Sequence, residues 1–174
     1  MPEAEDLGIL LIRLTTGGFF VAHGCQMLFG WFGGRGIRRV SANFHERGFR
    51  PSVPFALAAA LTELAGGGGV AIGFLWPLPP VALIGPMTVA VVSVHWPKIW
   101  VTEQGIEYPL VLGVVMAGVG LMSVGSVSVD NILNVSLPAG PMYIIALIGA
   151  AVVAAAALVS ARMVRLRERA SATA

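Results

Sequence analysis

Six side chains able to hold or pass a proton, or to bind a polar ligand, stand inside or at the ends of long apolar runs: Arg13, His23, Gln26, Glu63, His95 and Glu107. Polar groups at membrane depth are costly to keep, which makes each of them a candidate for a site or a buried pairing. His23 and Gln26 are three residues apart and share one face of a helix. An imidazole titrates near neutrality, so His23 or His95 could donate to a ligand carbonyl while Glu63 or Glu107 takes the proton. The plainer alternative for His23 with Glu63 is an interhelical hydrogen bond, worth about 0.6 kcal/mol on average in membranes. Arg13 lies about ten residues nearer the N-terminus than His23. It is expected either to snorkel outward to Asp6 or the head groups, or to reach towards Glu63.

The elements that must position these groups follow from composition. The chain is 56% hydrophobic and 11% charged, with a mean hydropathy of +0.83, far beyond a soluble domain. It reads as an all-α integral membrane protein. At ~1.5 Å per residue a bilayer core takes roughly 20 apolar residues per helix. Five segments qualify: about 7–30, 54–76, 78–96, 108–125 and 141–162. Pro79 and Pro80 suit the first turn of the third span, and Pro86 should kink it. The polar stretch between the fourth and fifth spans, 131–140, is expected to be an external linker. The acidic start MPEAEDLG lacks the basic n-region of a signal peptide, so the first apolar segment is expected to remain as a span.

Five spans place loop 31–53, loop 97–107 and the tail after Arg162 on one side. That side then holds every Lys and Arg except Arg13, while the other holds Glu3, Glu5, Asp6 and Asp130. The positive-inside rule sets the N-terminus outside and the C-terminus in the cytoplasm of an inner-membrane protein. Trp31, Trp76, Trp96, Trp100, Tyr108 and Tyr143 fall at span ends, as an aromatic belt requires. Loop 31–53 can form a short interfacial helix with Ile37, Val40, Phe44 and Phe49 towards lipid and Arg38, Arg39, His45 and Arg47 towards water or head groups. Counted from the cytoplasmic ends, His23, Gln26, Glu63, His95 and Glu107 share one leaflet on four helices, which could gather them around one pocket. Gly66 and Gly67 lie on the Glu63 face, and Gly69-x-x-x-Gly73 is a small-residue pair suited to close helix packing. The single cysteine, Cys25, excludes an intramolecular disulfide and is expected to pack.

The pattern Arg13-Leu14, then His23-Gly24-x-Gln26-x-Leu28-Phe29-Gly30-Trp31-Phe32-Gly33-Gly34, then Glu63-Leu64-x-Gly66-Gly67, then His95, then Gly105-x-Glu107-Tyr108-Pro109-Leu110 resembles the DoxX family of small bacterial and archaeal membrane proteins. The resemblance runs from about Leu11 to Gly125. It implies a four-helix membrane domain over 1–130, with 141–174 as an added fifth helix and basic tail. The family takes its name from a subunit of a terminal quinol oxidase, and its relatives are linked to thiosulfate:quinone oxidoreduction and to membrane-bound oxidoreductase complexes. The implied site comprises Arg13, His23, Gln26, Glu63, His95 and Glu107 in a quinone-linked or respiratory setting. Met27 stands where the family usually has Lys, removing one cationic contact. The fifth span lies outside the family core and looks suited to docking on a partner.

The expectation is therefore an accessory membrane subunit of a quinone-linked or respiratory oxidoreductase complex, with no independent activity. Membrane lipids and the other subunits are its partners, and nucleic acid is not. No covalently bound cofactor or metal is expected, and a quinone is the compatible ligand. A haem between His23 and His95 is disfavoured because Gln26 and Glu63 would crowd it. A stand-alone quinone- or thiol-linked oxidoreductase is the first alternative. A small transporter or lipid-handling protein ranks last, since the halves show no internal repeat.

Overall fold

A computed structural model describes residues 3–172, and among them every regular element is helical. Helix α1 (Ala4–Phe29) ends at Gly30, whose left-handed backbone lets its N–H bond the Gln26 carbonyl. Helix α2 (Gly36–Glu46) lies in the first loop. Helix α3 (Ser52–Ile72) is Ala- and Gly-rich and ends at left-handed Gly73. Helix α4 (Leu78–Val89) starts with its two prolines in the first turn. Regular winding gives way to a π-helix over Ala90–His95, four residues beyond Pro86. A 3-10 turn (Val101–Glu103) leads to α5 (Glu107–Leu121), and the short α6 (Val129–Leu133) precedes α7 (Ala139–Ala172).

Four of these are long and apolar enough to cross a membrane: α1, α3, α4 with its π extension, and α7, with α5 as a shorter apolar helix. Their outward faces carry Leu11, Leu14, Val114, Ile145 and Val152, all well exposed. Such a surface belongs in hydrocarbon, and the chain is a membrane protein of all-α bundle architecture. The segment between α5 and α7 forms only the five-residue α6, consistent with its polar composition. At ~1.5 Å per residue, α7 is roughly 51 Å long and exceeds a ~30 Å hydrocarbon core, so its arginine-bearing end projects beyond it.

Helices α1 and α3 touch through their backbones. A Cβ on Gly17 would lie 2.6 Å from the Gly67 carbonyl oxygen and 2.7 Å from the Ala71 nitrogen. A Cβ on Gly24 would lie 2.8 Å from the Leu64 nitrogen, and one on Gly67 would meet Phe20 Cβ at 2.6 Å. The seam thus pairs Gly17 and Gly24 of α1 with Gly67 of α3, while the other small residues of α3 serve different neighbours. Gly66 faces Leu83 of α4, Gly69 faces Pro79, and Gly73 sits against the Arg13 guanidinium. Gly69 and Gly73 therefore do not form one helix-packing groove, because Gly73 lies just past the helix end.

Helix α7, expected as an extension outside the family core, packs along α4 and does not turn Ala154, Ala157 and Ala161 to lipid, all three being buried. Its small residues recur every three or four positions, which allows that close approach. The apolar side of α2 does not face lipid either, since Phe44 stacks on Phe49, itself 1% exposed, in a cluster with Ala157 and Ala161. Gly48 leaves space for only the backbone of α7, since a Cβ there would lie 2.5 Å from the Ala161 carbonyl oxygen.

Neighbouring Gly17 and Gly18 give a direct test, because nothing lies within 4 Å of a Cβ on Gly18. Leucine at position 17 must push α1 off α3 and should cost about 1–3 kcal/mol or more. Thermal unfolding in detergent should show a clear drop for Gly17→Leu and almost none for Gly18→Leu.

Candidate functional site

Below the glycine seam a cavity of about 630 Å³ opens between α1, α2, α3, α4 with its π extension, and α7. Its walls are mostly Ala, Val, Phe and Gly, among which His23, Glu63, His95 and Arg47 are the titratable groups. This volume and character match those of pockets that bury small apolar ligands with a few fixed polar contacts. Helix α5 contributes nothing to the lining, and α7 supplies Ala146, Gly149, Ala150, Val153 and Ala154 in its place.

His23 and Glu63 pair directly, His23 through Nδ1 and Glu63 through Oε2. Glu63 is 4% exposed, whereas the His23 side chain keeps 54% of its surface accessible. Both residues line the cavity, and His23 presents much the larger accessible surface to a ligand. Close contact of α1 and α3 at Gly24 is what brings the two side chains within bonding range. His95 closes the π-helix and also lines the cavity, with Nδ1 donating to the Gln104 carbonyl at 2.6 Å. Each histidine has Nδ1 engaged, leaving Nε2 as the ring nitrogen for a ligand.

The other sequence candidates go elsewhere. Gln26 donates from Nε2 to the Phe32 carbonyl at 3.2 Å and pins the Gly-rich exit of α1. Glu107 accepts from the Val101 N–H at 2.9 Å and organises the turn ahead of α5. Arg13 lies at the far end of the bundle, 1% exposed, and neither snorkels nor approaches Glu63. Its guanidinium donates to the carbonyls of Val70 and Ala71 at the end of α3, at 3.0 and 3.1 Å. It also donates to those of Val124 and Val127 in the following loop, at 2.6 and 3.0 Å. Helix ends leave carbonyls without partners, and the last turn of α3 exits in an apolar setting where water cannot supply them. Asp130, 4% exposed, completes this hub by accepting from the N–H groups of Leu75 and Trp76 at 2.9 and 2.8 Å.

Arg47, expected to face water or head groups, instead lines the cavity. Arg47 donates from Nε to the Ser93 carbonyl, inside the π-helix, at 3.2 Å, and from Nη1 to the Asn43 carbonyl at 3.0 Å. Displaced carbonyls are a general feature of π-bulges, which concentrate at functional sites. The Asn43-x-x-x-Arg47 spacing puts both residues on the same side of α2 as Phe44 and Val40, a signal that was available in the sequence.

With the geometry in place, the chain can be set against known proteins. The DoxX family model matches residues 8–96. The chain belongs to the DoxX family. The match spans α1 to the π-helix and so includes His23, Glu63, Arg47 and His95, while α5 and α7 lie outside it. No curated protein and no solved structure matches the chain.

Arg13 is fully engaged with backbone carbonyls, so its removal should be read in stability. Lysine keeps the charge but not the fork that reaches four acceptors, and each carbonyl left unsatisfied costs about 1–3 kcal/mol. Arg13→Lys is expected to melt well below the parent in detergent. Any ligand of the distant cavity should bind the folded fraction with unchanged affinity in a direct titration.

Proposed function

We propose that this DoxX protein is an accessory membrane subunit of a quinone-linked or respiratory oxidoreductase complex, and that the cavity is where the quinone head group binds. One observation carries the reading: a buried carboxylate paired to an accessible histidine on the wall of an apolar chamber of about 630 Å³. A quinone carries two electrons and two protons through the hydrocarbon layer. The residues present fit it, since apolar walls accept the ring and His23 offers the contact to a carbonyl oxygen. Glu63 orients that imidazole and holds a proton behind it. His95, fixed by the Gln104 carbonyl, offers a second polar contact.

The chemistry available to these groups supports the accessory role. They bind, orient and handle protons, and the lone cysteine supports no dithiol exchange. Electrons would then come from a neighbouring subunit. Proton handling near one surface also suits the expected orientation, with the basic loops and the tail in the cytoplasm and the polar chamber in that leaflet.

Two measurements test this. Mild-detergent purification from the native membrane should bring down oxidase, dehydrogenase or redox-defence subunits, and bound quinone should be recoverable by solvent extraction. Glu63→Gln and His23→Ala should each weaken quinone binding by about tenfold, or ~1.4 kcal/mol. A lone species that extracts without quinone, and whose variants match the parent, sinks the proposal.

Orientation is tested separately. Alkaline phosphatase fused after Ala174 should be inactive, because it stays on the reducing side, while a fluorescent protein fused there should fluoresce. The opposite result would invert the depth assignment.

A further inference from the structure

A second cavity of about 380 Å³ adjoins the first and shares Arg47, Val94 and His95 with it. Its remaining lining is Val101, Gln104, Gly105 and Tyr108. Three features set it apart from an ordinary surface dent. Arg47 is half-buried and held in place by two backbone carbonyls, yet among the described residues no carboxylate pairs with it. Tyr108 is exposed, and its hydroxyl has no protein hydrogen-bond partner among the described residues. His95 has Nδ1 committed to Gln104, so a proton added to the ring resides on Nε2 and makes that nitrogen a donor.

Neither Glu107 nor Glu63 forms an ion pair with Arg47. Glu107 is turned to the Val101 N–H, and Glu63 is paired with His23. The cluster is thus a fixed guanidinium, a phenolic hydroxyl and an ionisable imidazole around one small volume. A guanidinium with Nε and one Nη position already tied is pre-oriented, which favours binding of a tetrahedral or planar oxyanion by its free N–H groups.

We propose that this second cavity is an anion site of the phosphate class, built by Arg47, Tyr108 and His95. The same chemistry comes from two sources, the phosphodiester of an anionic lipid head group or free inorganic phosphate. The site does not depend on the quinone reading, and its test uses different residues and different probes.

The experiment is equilibrium titration of the purified full chain in detergent with dihexanoylphosphatidylglycerol and, in a separate arm, with inorganic phosphate. Saturable binding in the first arm alone assigns the lipid head group, and binding in the second assigns free phosphate. Arg47→Gln should weaken binding by about tenfold or more, as loss of a charge-assisted contact requires. Arg50→Gln removes the same formal charge from an exposed residue already paired with Glu168, and should bind as the parent does. Tyr108→Phe, which removes one donor and breaks no bond, should weaken binding several-fold and serves if Arg47→Gln fails to fold. No saturable binding in either arm, equal loss in Arg50→Gln, or unchanged affinity in Tyr108→Phe would overturn the assignment.

Discussion

Direct backbone contact between α1 and α3 is the constraint on which the rest of the molecule depends. Gly17, Gly24 and Gly67 let the two helices approach until main-chain atoms fill the space side chains would take. Lipid offers no hydrophobic drive for helices to associate, so such packing and a few polar contacts must supply it. The close approach also fixes the distance between His23 and Glu63. A wider crossing would leave a carboxylate alone in an apolar interior, at a cost no membrane protein carries without a function. The seam therefore stabilises the fold and sets the geometry of the pair in one step.

Polar groups at the two ends of the bundle differ in how much bonding capacity they have left. At one end Arg13, Ser128 and Asp130 serve backbone groups of the α3–α4 turn and the loop after α5. Every one of these contacts completes main-chain hydrogen bonding in a place that excludes water. At the other end His23, His95, Arg47 and Tyr108 keep atoms unspent, facing cavities. The difference is one of saturation: the first set has used its bonding capacity, and the second has capacity left for a ligand. Intramembrane charge alone does not separate the two cases.

Much of this was legible in the sequence, for identifiable reasons. The apolar runs fix the spans, the glycine-rich exit at Gly30 marks the end of α1 and Pro79 and Pro80 mark a start, whereas Gly73, expected inside the second span, caps α3. The His23–Glu63 pairing follows from depth counting on two adjacent helices. Arg13 was misread because a guanidinium can satisfy carbonyls over a hundred residues away in the chain, and nothing in its own helix records that. Gln26 and Glu107 share the right depth but turn to local backbone, a choice that depends on loop geometry. The apolar residues of α2 have the periodicity of a lipid-facing helix, and periodicity cannot tell lipid from the underside of a bundle.

The role of α7 shows how enclosure and chemistry are divided along the chain. All four titratable groups of the larger cavity lie within residues 8–96, the stretch that carries the family pattern. The wall that completes it lies about fifty residues later, in a run of small side chains with little polarity. Ala146, Ala150 and Ala154 have nothing to offer a ligand except shape and dryness, yet without them the cavity would open sideways to acyl chains. Electrostatic contacts strengthen as water is excluded. A helix that only closes a wall can therefore change what the His23–Glu63 pair does without touching it. The exposed Arg50–Glu168 pair and the buried Phe49–Ala161 contact hold this wall to the first loop. The surface pair contributes little by itself, so packing at Gly48 and Phe49 is what holds this wall in place.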